Sequence, residues 1–207
     1  MKRLSIDERR AEIIRAAAEV FFEQGYAATS IDAIIERLGG SKRNIYKEFG
    51  SKEGLFTAIV SQTADDVLNS LSVEEVSARN LQETLSAFAS RLLTAYMSPP
   101  LIGVLRTIMA EAFRFPDLAK GFYDRGPGRA SARVAEILEK AKRRREIDVA
   151  DCAIAADLFA GMLRDNVHLQ VLLGLRSPLT PAEIEISARL AVEIFLNGLR
   201  TDRANLA

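Results

Sequence analysis

Polar and basic side chains follow closely behind a glycine pair in the first quarter of the chain. They are Ser41, Lys42, Arg43, Asn44, Tyr46 and Lys47. Arg can make a bidentate contact to guanine and Asn to adenine, while Ser, Tyr and Lys can contact phosphate oxygens. These residue types in one short segment predict contacts with double-stranded DNA, and Lys52 is placed to reach a further phosphate.

Two short amphipathic segments joined by Gly39-Gly40 carry this polar run. The first, residues 31–38, has apolar side chains at helical spacing. The second follows Ser41, which we expect to cap it, and has Ile45 and Phe49 one turn apart, opposite the basic groups. The pair predicts a helix-turn-helix, whose second helix enters the major groove by its N-terminal residues. The alternative is a small bundle whose polar positions are only solvated.

Helical periodicity extends over nearly the whole chain, and no alternating strand pattern bounded by hairpin turns occurs. An all-α protein is therefore predicted, with helix starts at Ser30, Ser51 and the capping box of Thr180 and Glu183. The other predicted helices cover about 7–24, 81–96, 101–113, 117–125, 129–145, 153–174 and 184–199. Helix length predicts an N-terminal domain at 1–50, a larger helical domain at 51–200 and a flexible tail at 201–207.

Composition excludes several other classes of protein. The 207 residues carry 28 basic and 28 acidic side chains, which allows a local basic patch but not a uniformly basic surface. A single His and a single Cys argue against a zinc site, and we expect no metal and no cofactor. No apolar run reaches about 18 residues, so we expect no membrane span. The charged start has no signal-peptide core, and a cytoplasmic protein is expected.

Several short motifs occur in register between residues 9 and 56. They are Phe22-Glu23-Gln24-Gly25-Tyr26, Thr29-Ser30, Gly39, Ser41-Lys42, Tyr46-Lys47-Glu48-Phe49 and Ser51-Lys52-Glu53-Gly54-Leu55. Together they resemble the DNA-binding domain of the TetR family of transcriptional regulators. The chain departs from that pattern at Ile35 and Leu38, where the family usually has Ala, and at Gly40, where it usually has Val.

This resemblance implies a division of roles among the polar residues. Phosphate contacts would come from Thr29, Ser41, Tyr46 and Lys52. Base contacts would come from Arg43, Asn44 and Lys47, with Lys42 serving either purpose. The resemblance also implies a homodimer on a pseudo-palindromic operator, because two-fold symmetric proteins bind two related half-sites.

The second half of the chain resembles the AefR-like subgroup of regulatory domains, on residues 114–118, 122–123 and 125–127. In the family the last two long helices form an intersubunit four-helix bundle. The residues that permit this are Ala153, Ala156, Ala160, Gly161, Leu190, Ile194 and Phe195. The alternative is that these side chains pack inside one subunit.

A ligand cavity is implied by the family. Its candidate lining is Phe88, Met109, Phe113, Phe122, Phe159 and Met162, with Arg106 and His168 as polar groups that orient a ligand. The alternatives are ordinary core packing for the apolar residues and surface positions for the polar ones.

The sequence thus favours a dimeric repressor released from its operator by a small apolar or amphipathic ligand. One alternative is a DNA-binding protein of the same fold that a protein partner controls. An all-helical enzyme is the third, but the sequence has no Gly-rich phosphate loop, paired His or Cys, or nucleophile motif, and we expect no enzyme.

Overall fold

The computed structural model describes residues 5–71 and 80–199, and the regular elements in these ranges are all α-helices, as predicted. The predicted tail 201–207 lies outside the described residues. The helices are α1 (Ile6–Gln24), α2 (Ile31–Leu38), α3 (Lys42–Phe49), α4 (Lys52–Ser70), α5 (Leu81–Tyr96), α6 (Pro99–Glu111), α7 (Pro116–Arg125), α8 (Pro127–Arg143), α9 (Cys152–Leu163), α10 (Asn166–Leu172) and α11 (Pro181–Leu199).

The chain divides into two compact units. Unit 1 comprises the chain up to Asp65 together with Pro99–Arg125, and it contains α1–α3, most of α4, α6 and α7. Unit 2 comprises Asp66–Ser98 and the chain from Gly126 onward, and it contains α5 and α8–α11. These units differ from the predicted segments 1–50 and 51–200, because α6 packs against α1 and so joins the N-terminal helices.

Several helix starts follow the predicted capping. Ser30 Oγ and Ser51 Oγ each accept a hydrogen bond from the backbone N–H three residues ahead, at 3.1 and 3.0 Å. The capping box before α11 is also confirmed: Glu183 N–H donates to Thr180 Oγ1, and Thr180 N–H donates to Glu183 Oε2. These side chains satisfy backbone donors that the helix itself leaves unpaired.

The prediction of a single helix over 153–174 is wrong, because the structure has two helices there. The chain leaves the helical conformation at Arg164, where ψ is 51°. Asp165 then caps α10, since its Oδ1 accepts a hydrogen bond of 3.0 Å from the His168 N–H. Apolar periodicity continues through this break, and so it did not reveal the second N-cap.

An aromatic cluster forms the core of unit 1. Tyr26, just after α1, packs against Phe21, Phe56 and Phe115 with ring centroids 5.6, 5.2 and 5.0 Å away. The contacts to Phe56 and Phe115 are edge-to-face, a favourable arrangement for aromatic rings. One ring therefore joins α1, α4 and the segment between α6 and α7.

Two glycines allow close approaches within unit 1. A Cβ on Gly103 of α6 would overlap the Phe22 ring of α1, and a Cβ on Gly54 of α4 would overlap the carbonyl oxygen of Phe49 in α3. Both positions lie inside helices, where glycine is otherwise unfavourable. These glycines therefore set how closely the neighbouring helices pack.

Unit 2 is built on the packing of α5 against α11 and of α8 against α9. Phe159 and Phe195 pack with ring centroids 4.8 Å apart. Of the residues predicted to form an intersubunit bundle, Ala156, Ala160 and Phe195 are instead buried within the protomer. The exposed ones are Ala153, Gly161, Leu190 and Ile194.

Within residues 5–71 and 80–199, no single helix combines the length and apolar character of a membrane span; consecutive helices α5 and α6 meet these criteria only when taken together.

Replacing Gly103 by Ala is expected to destabilise the protein. The added methyl group collides with Phe22, and overpacking of this kind costs about 1–3 kcal/mol. Gly121→Ala in α7 is the matched control, because its Cβ would meet only the mobile end of Arg125 at 3.4 Å. Urea unfolding followed by circular dichroism measures both variants. Equal midpoints for Gly103→Ala and Gly121→Ala would contradict a tight α1–α6 contact.

Candidate DNA-binding surface

The short helix α3 is held from behind by few but specific contacts. Ile45 is 2% exposed and is the residue that α3 buries in the core. The Arg10 guanidinium lies 4.9 Å from the centroid of the Phe49 ring, and its Nε is 3.1 Å from Glu48 Oε1. Arg10 was not predicted to have a role, since nothing in its local sequence points to a residue 38 positions away. Its contacts tie α3 to α1.

The α2 helix is also tied to α1, through a bidentate ion pair. Arg37 Nη1 and Nη2 lie 2.9 and 2.7 Å from the two carboxylate oxygens of Glu23. Backbone turns at Gly39 and Gly40 then lead into α3, with φ of 78° and 104°, a conformation that glycine adopts without a Cβ clash. Both short helices are therefore oriented by α1.

The other side of α3 carries the predicted DNA contacts, and all six side chains are exposed. This polar face consists of Ser41, Lys42, Arg43, Asn44, Tyr46 and Lys47. Lys42 Nζ lies 2.7 Å from Asp32 Oδ2, and this hydrogen-bonded pair raises the pKa of Lys42. The face thus presents cations, an amide and hydroxyls on one rigid helix.

Ser41 occupies the N-cap position of α3, but the predicted side-chain cap is wrong, because its hydroxyl makes no capping hydrogen bond. The first N–H groups of a helix have no partner inside the helix and attract anions. The exposed Ser41 hydroxyl and these N–H groups are therefore placed for one phosphate.

Thr29 does not have the position predicted for a phosphate contact. Its side chain is buried, with 2% of the residue exposed. The hydroxyl lies 2.7 Å from the carbonyl oxygen of Gly25 and 3.4 Å from that of Val20. Since a hydroxyl has one proton to donate, that proton is used inside the protein. The structure supports a role for Thr29 in closing the loop between α1 and α2.

Lys52 likewise turns toward the protein rather than outward. Its Nζ donates to the carbonyl oxygens of Tyr26, Ala27 and Thr29, at 2.9, 3.4 and 3.0 Å. Three bonds use all three ammonium protons. The same Nζ lies 4.6 Å from the centroid of the Tyr26 ring, a cation–π contact. Lys52 therefore joins the start of α4 to the loop before α2, which differs from the predicted phosphate contact.

Tyr26 remains a neutral phenol at this junction. Burial raises its pKa, and the negative charges of Glu53 and Glu111 raise it further. A neutral ring keeps its favourable contacts with both Lys52 and the aromatic cluster.

The eight predicted ligand contacts are divided between the two units. Phe88, Phe159, Met162 and His168 belong to unit 2, where Phe88, Phe159 and His168 are buried. Arg106, Met109, Phe113 and Phe122 belong to unit 1, where Met109 and Phe113 are exposed to solvent.

Phe122 lines a groove of about 230 Å³ between α4 and α7 in unit 1. The lining is Glu53, Thr57, Val60, Asp117, Leu118, Gly121, Phe122 and Arg125. Apart from Phe122, sequence analysis did not select these residues for a site. The sequence carries no local pattern that marks this groove, because the groove forms only where α4 and α7 pack together.

Removing the ammonium group of Lys52 is expected to destabilise the protein. Lys52→Met keeps the length of the side chain but leaves three carbonyl oxygens without their donor, at a cost of about 1–2 kcal/mol. Lys47→Met is the control, because Lys47 is exposed and we expect its substitution to change stability by less than about 0.5 kcal/mol. Urea unfolding compares the variants. If Lys52→Met unfolds like the unsubstituted protein and yet loses DNA affinity, Lys52 is a phosphate contact after all.

Two family profiles match the chain in separate segments. The profile described as bacterial regulatory proteins, tetR family, matches residues 13–59 and so includes the polar face of α3. The profile described as the AefR-like transcriptional repressor, C-terminal domain, matches residues 83–198, more than half of the chain.

Solved structures and curated proteins give the same assignment. A TetR-family transcriptional regulator from Mesorhizobium loti is 32% identical, with 95% of this chain and 99% of that chain covered and a TM-score of 0.81. The flavonoid-responsive regulator FrrA is 34% identical, with the same coverage and a TM-score of 0.76. The transcriptional activator FasR of Mycolicibacterium smegmatis is 40% identical over 67 residues, which span only 31% of its length.

One family assignment follows from the exposed polar face of α3, from the helices that hold it and from the profile matches over both segments. The chain belongs to the TetR family of DNA-binding transcriptional regulators, with a C-terminal domain of the AefR-like type.

Proposed function

We propose that this protein is a homodimeric repressor that binds a pseudo-palindromic operator and is released by a small aromatic or amphipathic ligand. Its target is chromosomal DNA, so the proposal places it in the cytoplasm. No catalytic activity is part of this proposal.

The polar face of α3 is the observation that carries the proposal. Six polar side chains between residues 41 and 47 are exposed on α3 and its N-cap, and the opposite side of the helix is anchored by Ile45 and by the contacts of Arg10. A rigid helix with exposed Arg and Asn near its N-terminus has the form required to enter a major groove and contact base edges. We assign base contacts to Arg43, Asn44 and Lys47.

We assign phosphate contacts to Ser41 and Tyr46, with Lys42 able to serve in either role. Lys42 must exchange its ion pair with Asp32 for a DNA contact, and an exposed pair of this kind opens readily. Thr29 and Lys52 support the proposal indirectly, because they fix the loop that leads into α2.

Unpartnered apolar side chains on α9 and α11 support the homodimer. This apolar stripe consists of Ile154 and Leu158 on α9 and Ile186, Leu190 and Ile194 on α11, each more than half exposed. On α11 the three residues are four apart and so lie along one face. Exposed Ala153 and Gly161 on α9 would allow a second helix to approach closely. A second copy of the chain would bury the stripe in an isologous interface.

Ligand control is supported by one of the relatives that cover nearly the whole chain. FrrA, 34% identical, is described as flavonoid-responsive. We therefore propose an aromatic effector of comparable type. Such a ligand acts only through its different affinities for the DNA-competent and released states.

Selection from random double-stranded DNA with the full-length protein tests the central claim. At physiological salt we expect enrichment of a two-fold related sequence whose half-sites are about one helical turn apart. A folded protein that enriches no sequence would overturn the proposed operator recognition.

Substitutions on the polar face should separate two kinds of effect. Arg43→Ala and Asn44→Ala should relax the preference at particular base pairs by about 1–3 kcal/mol each. Tyr46→Phe should weaken binding to operator and random DNA alike, because a phosphate contact carries no sequence information. Fluorescence anisotropy with both DNAs measures this. Equal losses on operator and random DNA for all three variants would refute the assigned roles.

A charge in the apolar stripe should dissociate the dimer. Leu190→Glu buries an unpaired carboxylate at the proposed interface, which is expected to weaken association by about 2 kcal/mol or more. Tyr123→Glu is the control, because Tyr123 is similarly exposed, 56% against 53%, but lies in unit 1. Sedimentation velocity gives the oligomeric state. A Leu190→Glu protein that remains as dimeric as Tyr123→Glu would place the interface elsewhere.

A further inference from the structure

His168 is a buried imidazole with an unsatisfied nitrogen. The residue is 4% exposed, and its Nε2 has no hydrogen-bond partner among the described residues. Buried polar atoms in folded proteins are nearly always paired with protein, water or a ligand. An orphaned ring nitrogen in the interior of unit 2 therefore marks a place where a polar group from outside the chain belongs.

The imidazole is held in position by two neighbours. Its ring stacks on that of Tyr96 of α5, with centroids 5.0 Å apart and an interplanar angle of 30°. Its backbone N–H donates to Asp165 Oδ1, which fixes the first turn of α10. The nitrogen is thus presented by a fixed aromatic ring rather than by a mobile side chain.

The imidazole ring of His168 is neutral at neutral pH. Burial lowers the pKa of His168 and the charge of Arg164 lowers it further, while Asp165 raises it by a smaller amount. A neutral imidazole has one donor and one acceptor nitrogen, and either tautomer is possible.

We propose that His168 Nε2 is the polar anchor of the effector site and hydrogen-bonds a hydroxyl group on an aromatic ligand. The inference rests on the proposed ligand control and names the chemistry of the group that is recognised.

A hydroxyl is the group that fits this nitrogen best. It can donate to Nε2 in one tautomer and accept from it in the other, whereas a carbonyl or ether oxygen can only accept. The Tyr96 ring stacks against the imidazole, so the immediate surroundings of the nitrogen are aromatic. A phenolic compound combines this hydroxyl with a planar apolar body.

Flavone and its monohydroxy derivatives form a matched set of probes, because they differ only in one hydroxyl group. Binding of each probe to the protein is measured by calorimetry. We expect the best hydroxyflavone to bind about tenfold more tightly than flavone, as one buried hydrogen bond requires. In His168→Phe, which keeps a stacking ring but lacks the nitrogens, this preference should vanish while flavone binding is retained.

The single histidine gives a direct readout that needs no variant. With ¹⁵N-labelled histidine, the imidazole resonances of the protein belong to His168 alone. Saturation with the best-binding hydroxyflavone should shift the Nε2 resonance, and saturation with flavone should shift it less. This measurement decides the question if His168→Phe fails to fold.

Three results would overturn the inference: no binding by any probe, an unmoved Nε2 resonance at saturation, or a hydroxyl preference that persists in His168→Phe. Operator selection is done without ligand, so its outcome is independent of these results. Retained operator binding with no probe effect removes His168 as anchor and leaves DNA recognition intact. Loss of operator selection removes the proposed function itself.

Discussion

The DNA-binding surface depends on the hydrogen bonds made by the ammonium group of Lys52. Lys52 Nζ bonds three carbonyl oxygens of the loop between α1 and α2 and also contacts the Tyr26 ring. The loop has no regular structure of its own, so these bonds fix its path and the point at which α2 begins. Because Tyr26 also packs on Phe56 and Phe115, the same junction anchors α4 and the α6–α7 segment. The position of α3 follows from this arrangement.

Helix α3 is too short to be stable alone, since isolated helices below about 12 residues are marginal in water. Its orientation is therefore taken from its neighbours: Ile45 is buried, Phe49 lies under Arg10, and Gly54 lets α4 approach the carbonyl of Phe49. All of these contacts lie on one side. The opposite side needs no contribution to folding, and its side chains are free to be polar and specific.

Unit 2 departs from ordinary burial in two ways. Large apolar side chains of α9 and α11 are exposed, and a polar ring nitrogen of His168 is enclosed. An exposed apolar stripe and a buried orphaned polar atom are the informative exceptions in a folded protein. The exposed stripe supports the proposed dimer, and the buried nitrogen supports the proposed ligand contact. Both features lie in the segment that matches the AefR-like C-terminal domain.

The sequence by itself determined the helical class, most helix boundaries and the polar face of α3. These properties are local: periodicity, capping side chains and glycine turns act within a few residues. The tertiary structure decided the roles of Thr29 and Lys52, because their hydrogen bonds go to carbonyl oxygens of the α1–α2 loop and its approach rather than to solvent. It also decided the burial of His168. The break at Asp165, by contrast, is a local helix cap that the continuing apolar periodicity concealed. The partners of Lys52 lie 23 to 26 residues away in the sequence, and such pairings are set by packing rather than by local sequence pattern.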